Sequence, residues 1–288
     1  MLIQSQNLIK ISLFSFIILL QGCAFQQVTR SKNLTYLEAD SVASMPEKHL
    51  NVFSPKGAKD LPVLIFIHGG SWNSGNKEIY DFLGSRMARK SVVTVIIDYP
   101  LAPANQIQSM ELAAVQAVIW TNNHISNYGG DPGQIFISGH SAGGHLAALL
   151  ATKESNFLNS EIDNPLKGAI LIDPAGLDMH WFLQETKGTD EEKKYLGAFT
   201  ADPEVWKEAS PIYFLEGKNM PILIMEGENT YPGIRLTIDR FRKESEKKGV
   251  ELDYEYYKKK KHIPMITQFF WTYNRGYKEV LGFIEENK

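Results

Sequence analysis

Ser141 stands between glycines in Gly139-His140-Ser141-Ala142-Gly143, a G-x-S-x-G spacing whose chemistry is that of an activated hydroxyl. Such a hydroxyl attacks a carbonyl carbon only when a base takes its proton and hydrogen-bond donors receive the oxyanion that forms. The flanking glycines suit a strand-to-helix turn so tight that side chains there would collide, which leaves the serine exposed at the apex. A helix starting behind Ser141 would also favour developing negative charge. Donors are offered by His68-Gly69-Gly70-Ser71-Trp72, where glycines let main-chain N–H groups approach a substrate carbonyl. Among the seven histidines, His262 is the best-placed base. It follows the last apolar run, where a loop could reach the serine from above a sheet. His49 lies too early, His124 falls on a helix and His180 in an insert. His68, His140 and His145 belong to the glycine motifs or to the helix behind the serine. The acid should follow the strand at 221–225, giving the order Ser, acid, His. That loop, Glu226-Gly227-Glu228-Asn229-Thr230-Tyr231-Pro232-Gly233, holds two glutamates and no aspartate.

These side chains need a scaffold that brings distant segments to one edge. Apolar, β-branched runs at 62–67, 91–97, 134–138, 168–172 and 221–225 read as buried strands, and the alternating 252–257 as a strand nearer the sheet edge. Between them, 109–124, 142–152 and 234–248 read as helices, the last stopped by Gly249. Near-continuous apolar strands separated by helices predict an α/β fold, with a mostly parallel sheet covered on both faces. The domain that carries this chemistry is expected over 48–288. An aromatic-rich insert at about 174–218, with Trp181, Phe182, Tyr195, Phe199 and Trp206, suits either a small lid or a packed excursion.

The motifs together resemble the α/β-hydrolase superfamily, in the carboxylesterase branch that includes hormone-sensitive-lipase-like, prenylcysteine-methylesterase-like and kynurenine-formamidase-like enzymes. The resemblance runs from about Val63 to Ile266. It includes Asp98-Tyr99-Pro100-Leu101-Ala102-Pro103, similar to the family's D-Y-R-L-A-P with proline in place of arginine, and Tyr128-Gly129-Gly130-Asp131-Pro132 before the nucleophile strand. It implies an oxyanion hole from the N–H groups of Gly69, Gly70 and Ala142, with no metal and no cofactor. Relatives carry an aspartate where this chain has Thr230. Glu228 is then the expected acid, since it lies past the strand end; Glu226 and an incomplete triad are the alternatives. The expected substrate is a small-molecule acyl ester. An amidase or formamidase using the same residues, and an inactive hydrolase fold that only binds, are the competing readings.

Formal net charge is −3, which gives no reason to expect a nucleic-acid partner, and the basic run 258–261 reads as a solvated face. The N-terminus differs from the rest. Lys10 precedes a ten-residue apolar stretch, too short to span a bilayer comfortably, and then Gln21-Gly22-Cys23. Residues 1–22 read as an export signal, and Leu20-Gln21-Gly22-Cys23 resembles a bacterial lipobox with Gln21 as its departure. Lipid on Cys23 would hold the mature chain at the cell-envelope membrane, with 23–47 as a tether and first edge strand. An ordinary signal peptide or uncleaved anchor is the alternative. Cys23 is the only cysteine, so no internal disulfide can form.

Overall fold

The β-branched runs meet as neighbours in one sheet. A computed structural model describes residues 27–40, 45–158, 162–217 and 220–288; the export segment and Cys23 lie outside them. The strands are β1 (Val28–Leu37), β2 (Lys48–Pro55), β3 (Leu61–Ile67), β4 (Val93–Ile97), β5 (Gly130–His140), β6 (Leu166–Ile172), β7 (Ile222–Asn229) and β8 (Leu252–Lys261). They lie in the order β1-β2-β4-β3-β5-β6-β7-β8. β1 and β2 pair antiparallel, β2 pairs antiparallel with β4, and every later pairing is parallel.

Side chains alternate between two buried faces, as strand geometry requires. Val63, Ile65, Ile67, Ile135 and Ile137 point into one core with α2 (Ile107–His124), α3 (Ala142–Thr152) and α7 (Pro232–Lys248). Leu64, Phe66, Phe136 and Ile170 point into the other, with α1 (Asp81–Ala88) and α9 (Arg275–Asn287). Helix α3 is buried along its whole length, so its run of Ala, Gly and Leu is what the sheet and α2 admit. Between β6 and β7 come three short helices, α4 (Met179–Glu185), α5 (Asp190–Phe199) and α6 (Pro203–Glu208). Asp178, Thr189 and Asp202 cap them, each side chain accepting a main-chain N–H of the first turn.

The sheet extends past several expected ends. β7 runs on through Glu228 to Asn229, and β8 runs to Lys261. His262 therefore opens the short helix α8 (His262–Thr267) directly, with no intervening loop. The parallel strands β3, β5 and β6 end at Ile67, His140 and Ile172, which places the candidate chemistry at their carboxyl ends, where open α/β sheets bind ligands.

Candidate active site

Ser141 occupies the single residue between β5 and α3, with φ 56° and ψ −121°. A non-glycine residue held there costs on the order of 1–3 kcal/mol, so its surroundings must fix it. The Ser141 N–H donates to the Ile172 carbonyl (3.2 Å), and the Ser141 carbonyl accepts from the N–H groups of His145 (3.0 Å) and Ala175 (3.1 Å). The two glycines are demanded by close approach. A Cβ on Gly139 would lie 2.2 Å from the Gly143 main chain, and one on Gly143 would lie 2.1 Å from the Ile67 carbonyl oxygen.

His262 is buried, and its Nδ1 lies 2.6 Å from Oδ2 of Asp173, a fully buried carboxylate immediately after β6. The other Asp173 oxygen accepts the Gly227 N–H (2.9 Å), and the Thr230 hydroxyl donates to Oδ2. Thr230 Oγ1 is also 3.5 Å from His262 Nδ1. The carboxylate against the imidazole is thus not the expected Glu228. That residue is part of strand β7, and its Oε2 accepts the Lys259 N–H across the strand pair (2.6 Å). Glu226 is turned the same way by the two-residue repeat of the strand. It accepts from Tyr254 Oη (2.7 Å) and Arg235 Nε (3.3 Å), and burial holds its carboxyl above the usual range. Between them Gly227 turns its N–H to Asp173. A positive φ of 48° at Asp173 bends the chain so that its side chain turns back towards β7.

The His262 main chain is clamped from the nucleophile side. Nε2 of His140 lies 3.2 Å from the His262 carbonyl oxygen, so that nitrogen carries the proton and donates. Burial first, and then the neighbouring His262 ring, hold His140 neutral, pushed down to about 3. A second neutral histidine, His145 on α3, is pushed by burial to about 4. These shifts predict acid sensitivity. Both rings bind protons less readily folded than unfolded, so their stabilisation is complete above pH ~6.5 and is lost as pH falls towards the folded values. For His145 this amounts to about 3 kcal/mol at ~1.4 kcal/mol per pH unit. Melting temperature should fall between pH 6.5 and 4, and His145→Gln should flatten that slope. A variant with the wild-type slope would refute the assignment.

Gly69 and Gly70 follow β3. Gly70 has φ 133°, Ser71 φ 51° and Trp72 φ 60°, a run of left-handed backbone that the Gly70 carbonyl helps close by accepting from Asn73 and Ser74 N–H (3.1 and 3.0 Å). The Asp98–Pro103 motif braces this loop from behind. The Tyr99 hydroxyl donates to the His68 carbonyl (3.2 Å), Ala102 N–H to the Trp72 carbonyl (2.9 Å), and Asp98 accepts from both Lys77 N and Nζ (2.8 Å each). Ala142 is the first residue of α3, where N–H groups have no partner within the helix.

Gly69, Gly70, His140, Ser141 and His262 line one cavity of about 950 Å³. Ile79, Phe82, Ile266 and Phe270 give it one apolar side. The insert contributes Met179, Phe182 and Tyr195 to its lining, and the ion pair of Glu191 and Lys194 (2.6 Å) borders it. Phe199 and Trp206 of the insert are packed into the core, so these helices both wall the cavity and belong to the fold. Among the described residues, no three His, Cys, Asp or Glu side chains gather as a metal centre would.

A strained serine between a parallel strand and a buried helix, facing a glycine loop, places the chain in the α/β-hydrolase superfamily, in its carboxylesterase branch. The chain belongs to the BD-FAE family, whose model matches residues 50–231. It is similar to an isoprenylcysteine alpha-carbonyl methylesterase, ICME, of Arabidopsis thaliana, at 36% identity over 114 residues, which are 38% of this chain and 27% of that protein. The chain thus matches only about a quarter of that relative's length. The kynurenine formamidase of Danio rerio is 25% identical over 253 residues, covering 83% of this chain and 78% of that one. Among solved structures, esterase B of Lactobacillus rhamnosis superposes with a TM-score of 0.75 at 18% identity, covering 98% of this chain and 96% of that chain.

Proposed function

We propose that the protein is a serine hydrolase that cleaves carboxylic esters through Ser141, His262 and Asp173. The observation that carries this reading is the 2.6 Å contact between His262 Nδ1 and Asp173, in the same cavity as the strained Ser141. Asp173 fixes the ring with its proton on Nδ1, which leaves Nε2 to accept the Ser141 proton. The Ser141 oxygen then bonds to the ester carbonyl carbon, and the carbonyl electrons move onto oxygen. N–H groups of Gly69, Gly70 and Ala142 receive that charge. On collapse, the imidazolium returns its proton to the departing alcohol, and an acyl group remains on Ser141. Water, deprotonated by His262, reverses the sequence and releases the acid.

The methylesterase and esterase relatives favour an ester substrate, and a cavity of this size takes a small molecule rather than a polymer chain in full. The formamidase relative motivates the second reading, an aryl formamide cleaved at the same site. A panel of p-nitrophenyl esters and aryl formamides separates them. Ester turnover should exceed formamide turnover at matched leaving groups, and the reverse ranking would select the formamidase.

We also propose that Cys23 carries a lipid that holds the enzyme at the cell envelope. β1 starts beside Pro55, at the end of the sheet away from the site, because Leu50 of the antiparallel β2 pairs with Ile97 at the carboxyl end of β4. An enzyme held at Cys23 would then open its cavity away from the attachment, towards solvent-borne substrate. Intact mass of the mature protein decides this. A diacylglycerol adduct beginning at Cys23 is expected, and an unmodified or differently processed N-terminus overturns it.

A further inference from the structure

His145 lies on α3, one turn after Ser141, and takes no part in the proton transfers above. Three different parts of the site meet on it. Its main-chain N–H donates to the Ser141 carbonyl (3.0 Å). Its Nδ1 accepts the indole N–H of Trp72 (3.2 Å), and its Nε2 lies 2.7 Å from the Ala209 carbonyl, just past the last helix of the insert. Trp72 is the residue whose left-handed backbone ends the Gly69–Gly70 turn. Its ring is buried and packs edge-on against His145, Phe199 and Tyr195.

The chemistry of these partners fixes the ring. An indole N–H can only donate, so Nδ1 of His145 must be a bare acceptor. A carbonyl oxygen can only accept, so Nε2 must carry the proton. One neutral tautomer satisfies both, and no other side chain at this position would do so with a rigid ring. The loop bearing the proposed oxyanion donors is therefore tied through one buried side chain to the turn that bears the nucleophile. The donors must stand about 3 Å from where the oxyanion develops, and small displacements are expensive in rate.

We propose that His145 is a positioning residue for catalysis, holding Trp72 so that the Gly69 and Gly70 N–H groups stay registered on Ser141 and tying that register to the insert. This rests on the reading of Gly69 and Gly70 as oxyanion donors. Its effect should fall on the transition state more than on substrate binding, since the link acts through main-chain donors and Trp72, although it borders the cavity, is only 2% exposed.

The test uses the full-length protein, p-nitrophenyl butyrate and an alkyl trifluoromethyl ketone, whose carbonyl carbon adds Ser141 to give a tetrahedral oxyanion. His145→Phe removes the acceptor and should lower kcat about 10- to 100-fold with KM changed less than threefold. Ketone affinity should weaken by the same factor as kcat/KM. Trp72→Phe removes the donor and keeps a ring, and should show the same split even if His145→Phe does not fold. His145→Gln, whose amide can accept from Trp72 and donate to Ala209, should recover most of kcat. The double variant His145→Phe with Trp72→Phe should be no worse than the poorer single variant, because the two side chains serve one link. Folded variants with wild-type kcat and ketone affinity would overturn the proposal, as would a loss confined to KM or fully additive losses. If the wild-type enzyme hydrolyses the ester but gains nothing from the ketone over the matching methyl carbinol, the oxyanion-loop reading itself fails.

Discussion

Ser141→Ala is expected to fold as the wild type does and to lose at least ~10³-fold in kcat on a p-nitrophenyl ester, with losses towards ~10⁶-fold within range for a serine nucleophile. The substitution removes one hydroxyl. Alanine keeps the Cβ and the φ of 56°, so the main-chain bonds to Ile172, His145 and Ala175 remain available and the melting temperature should stay close to that of the wild type. Ser141→Gly should be the more stable of the two, because glycine meets no steric penalty at that backbone angle. Both should be equally inactive. A fluorophosphonate forms a bond from Ser141 oxygen to phosphorus and expels fluoride, so it should label wild type once per chain and neither variant. Near-wild-type turnover in Ser141→Ala would remove the nucleophile assignment. A wild-type protein that refuses the label and the ester would instead favour a hydrolase fold kept for binding.

The parts of this site that could be read along the chain are those made by local geometry. Gly139 and Gly143 are forced by contacts within one turn and with the adjacent strand end, and the run before them is a buried strand by composition alone. The Gly69–Gly70 turn is local in the same sense. Asp173 is different. It meets His262 across 89 residues of sequence, and only the parallel pairings of β6 with β7 and of β7 with β8 bring the ends of β6 and β8 to one edge. Its only local signal is an aspartate directly after a core strand, at the carboxyl edge where such sheets bind ligands. β2 is hard to read along the chain for another reason. Its buried Asn51 interrupts the apolar pattern, because the amide accepts the Asn33 N–H (3.0 Å) and reaches Asp81 Oδ1 (3.3 Å). The insert's caps are visible as Asp178, Thr189 and Asp202, but the cavity wall its helices form depends on packing against Trp72, which no periodicity reports.

Asp173→Asn should lower kcat by about 10⁴-fold, a loss on the scale seen when a triad acid becomes an amide. The cause would be a proton in the wrong place. The Asp173 carboxylate accepts from Gly227 N–H on one oxygen, and from Thr230 and His262 on the other. In the asparagine variant the amide oxygen would keep the Gly227 bond, which turns the NH₂ group towards His262 Nδ1. That nitrogen must then accept, its proton moves to Nε2, and the ring has no lone pair left for the Ser141 hydroxyl. Glu228→Gln should stay within threefold of wild type, because its carboxylate serves the Lys259 N–H. Thr230 offers the sharper experiment. Its hydroxyl oxygen is 3.5 Å from His262 Nδ1, so a carboxylate at 230 could reach the ring from the position that related enzymes use. Thr230→Asp alone should not raise activity, since two carboxylates facing one another would share a proton and gain no charge. Combined with Asp173→Asn, however, it should restore kcat by 10-fold or more over Asp173→Asn alone, the new carboxylate accepting the Nδ1 proton. Steady-state kinetics of the four variants, with folding checked by thermal melt, give the answer. Recovery in the double variant would mean that the acid can sit after either strand, provided one negative charge faces Nδ1. A large loss in Glu228→Gln with little in Asp173→Asn would return the role to Glu228.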